Sequence, residues 1–361
     1  MSAEERSAEG SGEGHESTAA ATGDRGARGG RSRFAPSTTG RAHPGTLLAG
    51  LLCWLDARSR GAEVILRLED LDAERTKPGF VEAMIEDLAW LGLDWDGVAR
   101  QSESRSRHEA VLDRLVGEGR VYACECSRSR IRAVGVRAPD GSHRYSGTCR
   151  ARRVGRADWR GCEQSLRLHW DRVPVELRDE SGLDLSGDPA ALFGDPILRR
   201  RDGAFAYHFA SVVDDATAGV DRVVRGRDLA PSTTIQVGLQ QMLGFATPRY
   251  RHHCLFLENV GAKLSKLHGA VDVRALRERY GPEELCGLLA GFVGLAPRAE
   301  RCRPSELVAD FDWDRVSRED VLLGWSPERG LESVASPVEP DAAVGNAEDA
   351  KEKAQADAQA G

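Results

Sequence analysis

Lysine is scarce in this chain. Of its 50 basic residues only five are Lys (Lys77, Lys263, Lys266, Lys351 and Lys353), so arginine has displaced lysine almost everywhere. Long apolar runs are also missing. The longest uncharged ones, Thr46 to Leu55 and Leu285 to Pro297, fall short of the roughly 20 residues a helix needs to cross a bilayer. A helical membrane protein is thereby excluded. No basic and apolar leader opens the sequence, so a cytoplasmic location is expected, with the 8 cysteines present as thiols or metal ligands and not as disulfides. What is present, 361 residues of which 40% are hydrophobic and 30% charged, suffices for one large domain or two modest ones. A peptide hormone, a disulfide-stapled miniprotein and a coiled coil do not fit.

The formal charge of -7 is carried by the two ends. Residues 1–32 hold six acids and four Arg, residues 331–361 seven acids and two Lys, and the middle is neutral. Both ends are rich in Ala, Gly, Ser and Glu and nearly devoid of large apolar residues, a composition that cannot offset the entropy of ordering. They are expected to be disordered tails around a core spanning residues 33–330.

Along that core, Arg31 to Ala35 predicts a strand, Pro36-Ser37-Thr38-Thr39-Gly40 a turn, and Thr46 to Arg58 a helix. At the helix start, His43-Pro44-Gly45-Thr46 sets an imidazole, a flexible backbone and a hydroxyl where free N–H groups favour anions, so either a phosphate site or an ordinary cap is indicated. Glu63 to Leu68 predicts a buried strand ending in Glu69-Asp70-Leu71-Asp72, either carboxylates at a ligand-binding strand end or a solvated acidic turn. A helix is expected over Thr76 to Gly92, and a further short element from Leu93-Asp94-Trp95. This alternation predicts an α/β fold with a parallel sheet. Strands are expected over Ala204–Phe209, Ser211–Asp215 and Val220–Gly226, and helices over Val273–Arg279, Pro282–Phe292 and Ser317–Leu323.

Two clusters carry chemistry. Cys124-Glu125-Cys126, then Tyr145 and Cys149, supply three thiolates that can hold a tetrahedral zinc with one further donor, for which Tyr145 and the more ordinary His143 are both candidates; buried free thiols are the alternative. Around them, residues 127–160 contain ten Arg against Asp140 and Asp158, a local +8 that is either an RNA-binding surface or a solvated face. The other cysteines (Cys53, Cys162, Cys254, Cys286, Cys302) are expected to pack in the core. The second cluster, Gly261-Ala262-Lys263-Leu264-Ser265-Lys266, keeps two lysines against the arginine bias in a glycine-led loop, as moving phosphate charge would require.

In this order the motifs resemble the class I aminoacyl-tRNA synthetases of the glutamyl branch, and within it the short group that modifies queuosine in tRNA(Asp). The residues carrying the resemblance are Arg33-Phe34-Ala35-Pro36-Ser37, His43-Pro44-Gly45-Thr46 as the HIGH-type signature, Arg67-Leu68-Glu69-Asp70-Leu71-Asp72, Asp214-Asp215 with Val224-Arg225-Gly226, and Lys263-Leu264-Ser265-Lys266 as the KMSKS-type signature. Thr38 stands where the family usually has Pro, and Thr46 replaces the closing His. The resemblance implies a Rossmann-type catalytic domain in two halves, 33–120 and 191–266, a zinc-binding insertion at 121–190, a helical C-terminal region at 267–330 and no anticodon-binding domain.

It further implies two steps. Glutamate attacks the α-phosphorus of ATP to give glutamyl-adenylate, and the acyl group passes to a hydroxyl on the queuosine base of tRNA(Asp). His43, Lys263 and Lys266 are the implied catalytic residues, and Gly45, Thr46 and Ser265 join them around ATP, which brings Mg2+. Arg33, Ala35, Ser37, Glu69, Tyr207 and Arg225 are implied around L-glutamate, and Cys124, Cys126, Tyr145 and Cys149 around one structural Zn2+. A monomer is expected. The rival readings are a shortened synthetase that charges the tRNA 3′ end and a non-catalytic RNA-binding relative.

Overall fold

The computed structural model describes residues 29–72, 74–77, 79–172, 174–258, 271–297 and 300–334. Its centre is a five-stranded parallel sheet. The strands are β1 (Arg31–Phe34), β2 (Glu63–Leu68), β3 (Gly97–Arg100), β7 (Arg222–Gly226) and β8 (Arg249–His253), in the order β3-β2-β1-β7-β8. The chain winds outward from β1 to β3 and returns on the other side of β1 as β7 and β8. A crevice therefore opens beyond the carboxyl ends of β1 and β7, where the winding reverses.

Helix α1 (Pro44–Ser59) fills one face of the sheet. Leu47, Leu48, Leu51, Leu52 and Leu55 are all buried, each contributing roughly 2 kcal/mol of transfer free energy. Pro44 at the first turn presets the helical backbone. Helix α2 (Phe80–Trp90) is shorter than the expected 76–92, because Gly79 at its start adopts φ 88° and ends helical continuity there. Helix α3 (Arg105–Gly117) leads into β4 (Val121–Cys124), which with β5 (Ser165–Leu168) and β6 (Ile197–Arg199) forms an antiparallel sheet in the order β4-β5-β6. Short helices α4 (Arg128–Val134) and α5 (Pro189–Leu192) lie in its connections. The third strand thus falls beyond residue 190, where the sequence resemblance ended the insertion.

Two expectations fail. The stretch read as strands over 204–215 is helix α6 (Tyr207–Ala218), which buries Phe209 through Asp215 continuously and ends on Gly219 at φ 67°. A helix buried on every side has no polar face, and its alternating aromatics imitate a strand. Helix α7 (Ala230–Leu243) packs against it. The stretch expected as a helix over 317–323 instead enters β10 (Val321–Ser326), which runs parallel to β9 (Phe256–Glu258) and antiparallel to β11 (Gly330–Ser333). Pairing on both edges of β10 overrides local propensity. The region between is helical as expected, with α8 (Val273–Arg279), α9 (Pro282–Phe292) and α10 (Pro304–Leu307).

The stretches expected as tails reach too far inward: Arg31 and Ser32 belong to β1, and Leu331 to Ser333 to β11. Residues 1–28 and 335–361 lie outside the described residues. No helix among the described residues is long and apolar enough to cross a membrane.

Candidate active site

The crevice holds a cavity of about 950 Å3. Strand β1 brings Arg33 to it, the turn after β1 brings Ala35 and Ser37, the start of α1 brings His43, Gly45 and Thr46, and the end of β2 brings Glu69. Tyr207 enters from the start of α6 and Arg225 from β7. Nine residues named from the sequence thus converge on one cavity. Lys263, Ser265 and Lys266 fall within 259–270, outside the described residues.

The backbone here explains the small residues. A Cβ on Gly45 would lie 3.1 Å from Cε1 and 3.2 Å from Nδ1 of His43, so any other residue here would push the imidazole a few tenths of an ångström off the helix start. Thr38, at the family's usual proline position, is fully buried and donates both its backbone N–H (3.3 Å) and its hydroxyl (3.0 Å) to the Glu69 carbonyl. Proline has no N–H to give. The Glu69 N–H in turn donates to the Pro36 carbonyl at 3.1 Å, so the turn and the acidic strand end are pinned together.

Beneath the cavity lies a buried charge network. Asp215 accepts from Arg33 Nε at 3.3 Å and from Arg67 Nη1, and Arg67 Nη2 reaches Ser211 Oγ at 3.1 Å and Glu69 Oε1 at 3.4 Å. Burial pulls the Asp215 carboxyl upward, but the two guanidiniums hold it below the usual carboxylate range. Burial dominates at Glu69 and raises its carboxyl. The neighbouring Asp214 turns the other way, accepting from Gln101 Nε2 and contacting His108 Nε2, both at 2.8 Å. The Asp214-Asp215 pair therefore splits between the site and the packing of α3 against α6.

Arg225 is held from behind by a relay that no sequence motif announced. Its Nε lies 3.1 Å from His252 Nε2 and its Nη2 2.8 Å from Thr233 Oγ1, while His252 Nδ1 lies 2.8 Å from Asp179 Oδ2. Arginine can only donate, so His252 Nε2 accepts and the ring is neutral with its proton on Nδ1 facing Asp179. Burial, which disfavours the imidazolium, lowers the His252 pKa accordingly. Burial opposes ionisation of Asp179, yet hydrogen bonds from His252 and Ser181 bring its carboxyl down to about 2. The remaining nitrogen, Nη1 of Arg225, is buried with no hydrogen-bond partner among the described residues. An unsatisfied buried donor beside a cavity calls for a ligand oxygen.

The sulfurs of Cys124, Cys126 and Cys149 all lie within 4.8 Å of one another, a grouping that could hold a metal ion. The Cys126–Cys149 separation is 3.7 Å, against the roughly 3.8 Å edge of a tetrahedron with 2.3 Å metal–sulfur bonds. Tyr145 Oη sits 3.4 Å from Cys124 Sγ and 3.9 Å from Cys126 Sγ, and accepts the Cys149 N–H at 2.9 Å. An oxygen donor completing such a tetrahedron would lie about 3.5 Å from each sulfur. His143 does not join; it pairs in a β-bridge with Arg137 and stays outside the sulfur cluster. Of the remaining cysteines, Cys53, Cys254, Cys286 and Cys302 are buried as expected and Cys162 is half-buried.

A reversing parallel sheet with a histidine-led helix start and an arginine-floored crevice defines a class I aminoacyl-tRNA synthetase. The catalytic-domain description "tRNA synthetases class I (E and Q)" matches residues 31–319. A glutamyl-Q tRNA(Asp) synthetase of Nocardia farcinica is 44% identical over 302 residues, 82% of this chain and 93% of that protein. One from Symbiobacterium thermophilum is 40% identical, covering 81% of this chain and 95% of the relative. The crystal structure of a glutamate tRNA ligase from Elizabethkingia meningosepticum in complex with its amino acid superposes with a TM-score of 0.66 at 25% identity, over 80% of this chain and 66% of that one. The chain belongs to the glutamyl and glutaminyl (E and Q) class I tRNA synthetase family. It is a synthetase ligase with glutamate–tRNA ligase-like activity, and the family's substrates are ATP, glutamate and a tRNA.

Proposed function

We propose that the chain activates L-glutamate with ATP as glutamyl-adenylate and transfers the glutamyl group to the queuosine base in the anticodon of tRNA(Asp), giving glutamyl-queuosine. The observation that carries the glutamate half is Arg225, which has an orphaned Nη1 and lines a cavity with Arg33, Glu69 and Tyr207. Arg225 and Arg33 together receive the side-chain carboxylate, which a guanidinium fork matches in charge and geometry. Glu69 balances the α-ammonium, Tyr207 walls the amino acid in, and Ala35 and Ser37 flank it from the turn. His43, Gly45 and Thr46 take the nucleotide at the start of α1, where free N–H groups favour phosphate. Lys263, Ser265 and Lys266 are assigned to the triphosphate by their KMSKS-type signature.

In the first step a glutamate α-carboxylate oxygen bonds to the α-phosphorus while the α–β bridging P–O bond breaks and pyrophosphate leaves. In the second, a queuosine hydroxyl oxygen attacks the acyl carbon and AMP departs. The protein aligns the reactants and neutralises charge, with His43 and the two lysines as catalytic residues. Magnesium, brought with ATP, would supply screening of the phosphate charge. The thiolates of Cys124, Cys126 and Cys149 with Tyr145 hold one structural zinc, a donor set supported by the tetrahedral spacings. For the acceptor, support comes from the two glutamyl-Q tRNA(Asp) synthetases, which this chain matches across 93% and 95% of their lengths.

The test is glutamate-dependent ATP–pyrophosphate exchange without RNA, followed by incubation with queuosine-containing tRNA(Asp) and mass spectrometry of its nucleosides. Exchange without RNA and glutamyl-queuosine in the digest are expected. Glutamate on the terminal adenosine, or exchange only after tRNA is added, would overturn the queuosine reading in favour of a synthetase that charges the 3′ end.

A further inference from the structure

The ten arginines of residues 127–160 are not equivalent. Arg150 pairs with Asp195 at 2.6 Å, Arg160 with Asp113 at 3.1 Å, and Arg152 with Glu125. Arg144 donates to the Ala191 carbonyl at 3.0 Å, and Arg153 to that of Gly119. These five fasten the insertion to itself and to its neighbours. Arg128, Arg130, Arg132 and Arg137 are exposed and form no ion pair among the described residues. The first three lie on α4, which buries none of its residues. The same segment exposes Val134 by 69% and Val136 by 64%, two of the four large apolar side chains that stand out among the described residues.

Such a helix gains little from its own fold. Three neighbouring cations repel one another, and two bare valines leave apolar surface in water. What fixes α4 is Ile131, packed against the Cys124, Cys126, Tyr145 and Cys149 cluster, and the Ser127 hydroxyl, which caps its start by accepting from the Arg130 N–H at 3.2 Å. The metal knuckle thus displays cations and apolar groups outward.

The display is tied to the cavity mouth. Arg201 Nη2 donates to the carbonyl of Glu125, between the two knuckle cysteines, at 3.3 Å. The adjacent Arg200 lies 3.9 Å from Asp72, which pairs at 2.6 Å with Arg75, and Arg75 and Lys77 line the cavity. Cationic side chains therefore run from the mouth through Lys77, Arg75, Arg200 and Arg201 to α4.

We propose that α4 and this line form the docking track for the RNA strand beside the acceptor nucleotide, with Arg128, Arg130, Arg132 and Arg137 on its phosphates and Val134 and Val136 against an unstacked base or ribose. The proposal rests on the reading of an RNA acceptor given above. It separates two physical contributions: counterion release by arginine, which depends on salt, and apolar contact, which does not.

The test uses the full chain and the anticodon stem-loop of queuosine-containing tRNA(Asp) as probe, titrated at several salt concentrations. Replacing Arg128, Arg130 and Arg132 together by Ala should weaken binding at least tenfold and lower the slope of log K against log salt by about 2, at ~0.7 to 0.9 per lost phosphate contact. Val134→Ser with Val136→Ser should weaken binding severalfold at an unchanged slope. Replacing the exposed Arg274 and Arg318 by Ala is the control for general charge loss. Pyrophosphate exchange without RNA reports whether each variant is folded. Wild-type affinity and slope in the arginine variant, or an equal loss in the control, would overturn the track. Absence of glutamyl-queuosine with wild-type protein that binds the probe would sink the acceptor reading and leave the track standing.

Discussion

Arginine in the crevice and arginine on α4 have the same chemistry and opposite settings. Arg33, Arg67 and Arg225 are buried and each is gripped by Asp215, Glu69, His252 or Thr233, so their forks are aimed before any substrate arrives. Arg128, Arg130 and Arg132 are exposed and their guanidiniums are free to follow a ligand. A small, fixed carboxylate rewards preorganisation, because a misplaced donor loses both the hydrogen bond and the desolvation already spent. A polyanion with many contact points rewards number and reach instead. The two regions should therefore fail differently when altered.

The sharpest separation is expected at Arg225. Truncating a buried, hydrogen-bonded charge costs on the order of 2–5 kcal/mol, so Arg225→Ala should lower kcat/KM for glutamate in pyrophosphate exchange by roughly 10³-fold. Arg225→Lys should recover little, since an ammonium cannot reach His252, Thr233 and substrate at once. An equal loss from the α4 arginine variant in the same assay would erase the contrast between the regions.

The knuckle gives the converse. Zinc removal by chelator, or Cys149→Ser, should release the metal and lower glutamyl transfer to RNA by about 10- to 100-fold while exchange without RNA changes little. Elemental analysis of wild-type protein should find one zinc per chain. Tyr145→Phe should weaken metal retention and His143→Ala should not, because only the tyrosine oxygen reaches the sulfurs.

How far these regions could be read from sequence follows the same division. The crevice residues sit in short local motifs at strand ends, and β2, α8 and α9 lie where apolar periodicity and helix-start prolines or caps place them. The cysteine spacing announced the knuckle but left its fourth donor open, since the choice between Tyr145 and His143 depends on how the intervening loop folds back. Helix α6 was misread because complete burial erases amphipathic periodicity, and β10 because its partners β9 and β11 lie outside any local window. The Asp179–His252–Arg225 relay was invisible for a related reason: Asp179 and His252 are 73 residues apart, and each alone is an unremarkable polar residue.

That relay supplies a smaller effect and tests whether the crevice is aimed from behind. Asp179→Asn removes the charge facing His252 and frees its tautomer, so glutamate KM should rise about tenfold with kcat nearly unchanged. The Asp179 carboxyl titrates at about 2 in the fold against an ordinary 3.8. A depressed carboxyl stabilises the fold above its unfolded value and loses that stabilisation as pH falls through its folded value. The stability gap between wild type and variant, by urea denaturation, should therefore narrow as pH falls from 3.8 towards 2. A variant with unchanged glutamate KM would show that Arg225 holds its position without the relay.

The smallest effect belongs to His208, one residue past Tyr207 on α6 and in edge contact with its ring at 5.2 Å between centroids. Burial pushes its imidazole from 6.5 down to about 4, and its Nδ1 has no partner among the described residues. Between those two values the unfolded chain binds a proton at this ring that the folded chain refuses. Acidification from pH 6.5 towards 4 must then destabilise the fold by up to one proton's linkage, and no further loss arises from this group once the folded ring also protonates. His208→Gln removes the titration, so its urea midpoint should fall less than that of wild type between about pH 7 and about pH 5. Because the folded ring stays neutral over that interval, glutamate KM should change no more in wild type than in the variant, although the ring backs Tyr207. His208 lies on α6 and not on α4, so RNA affinity at constant salt should be the same in wild type and variant. A urea midpoint that falls equally in wild type and variant would mean that the pH dependence of stability originates elsewhere.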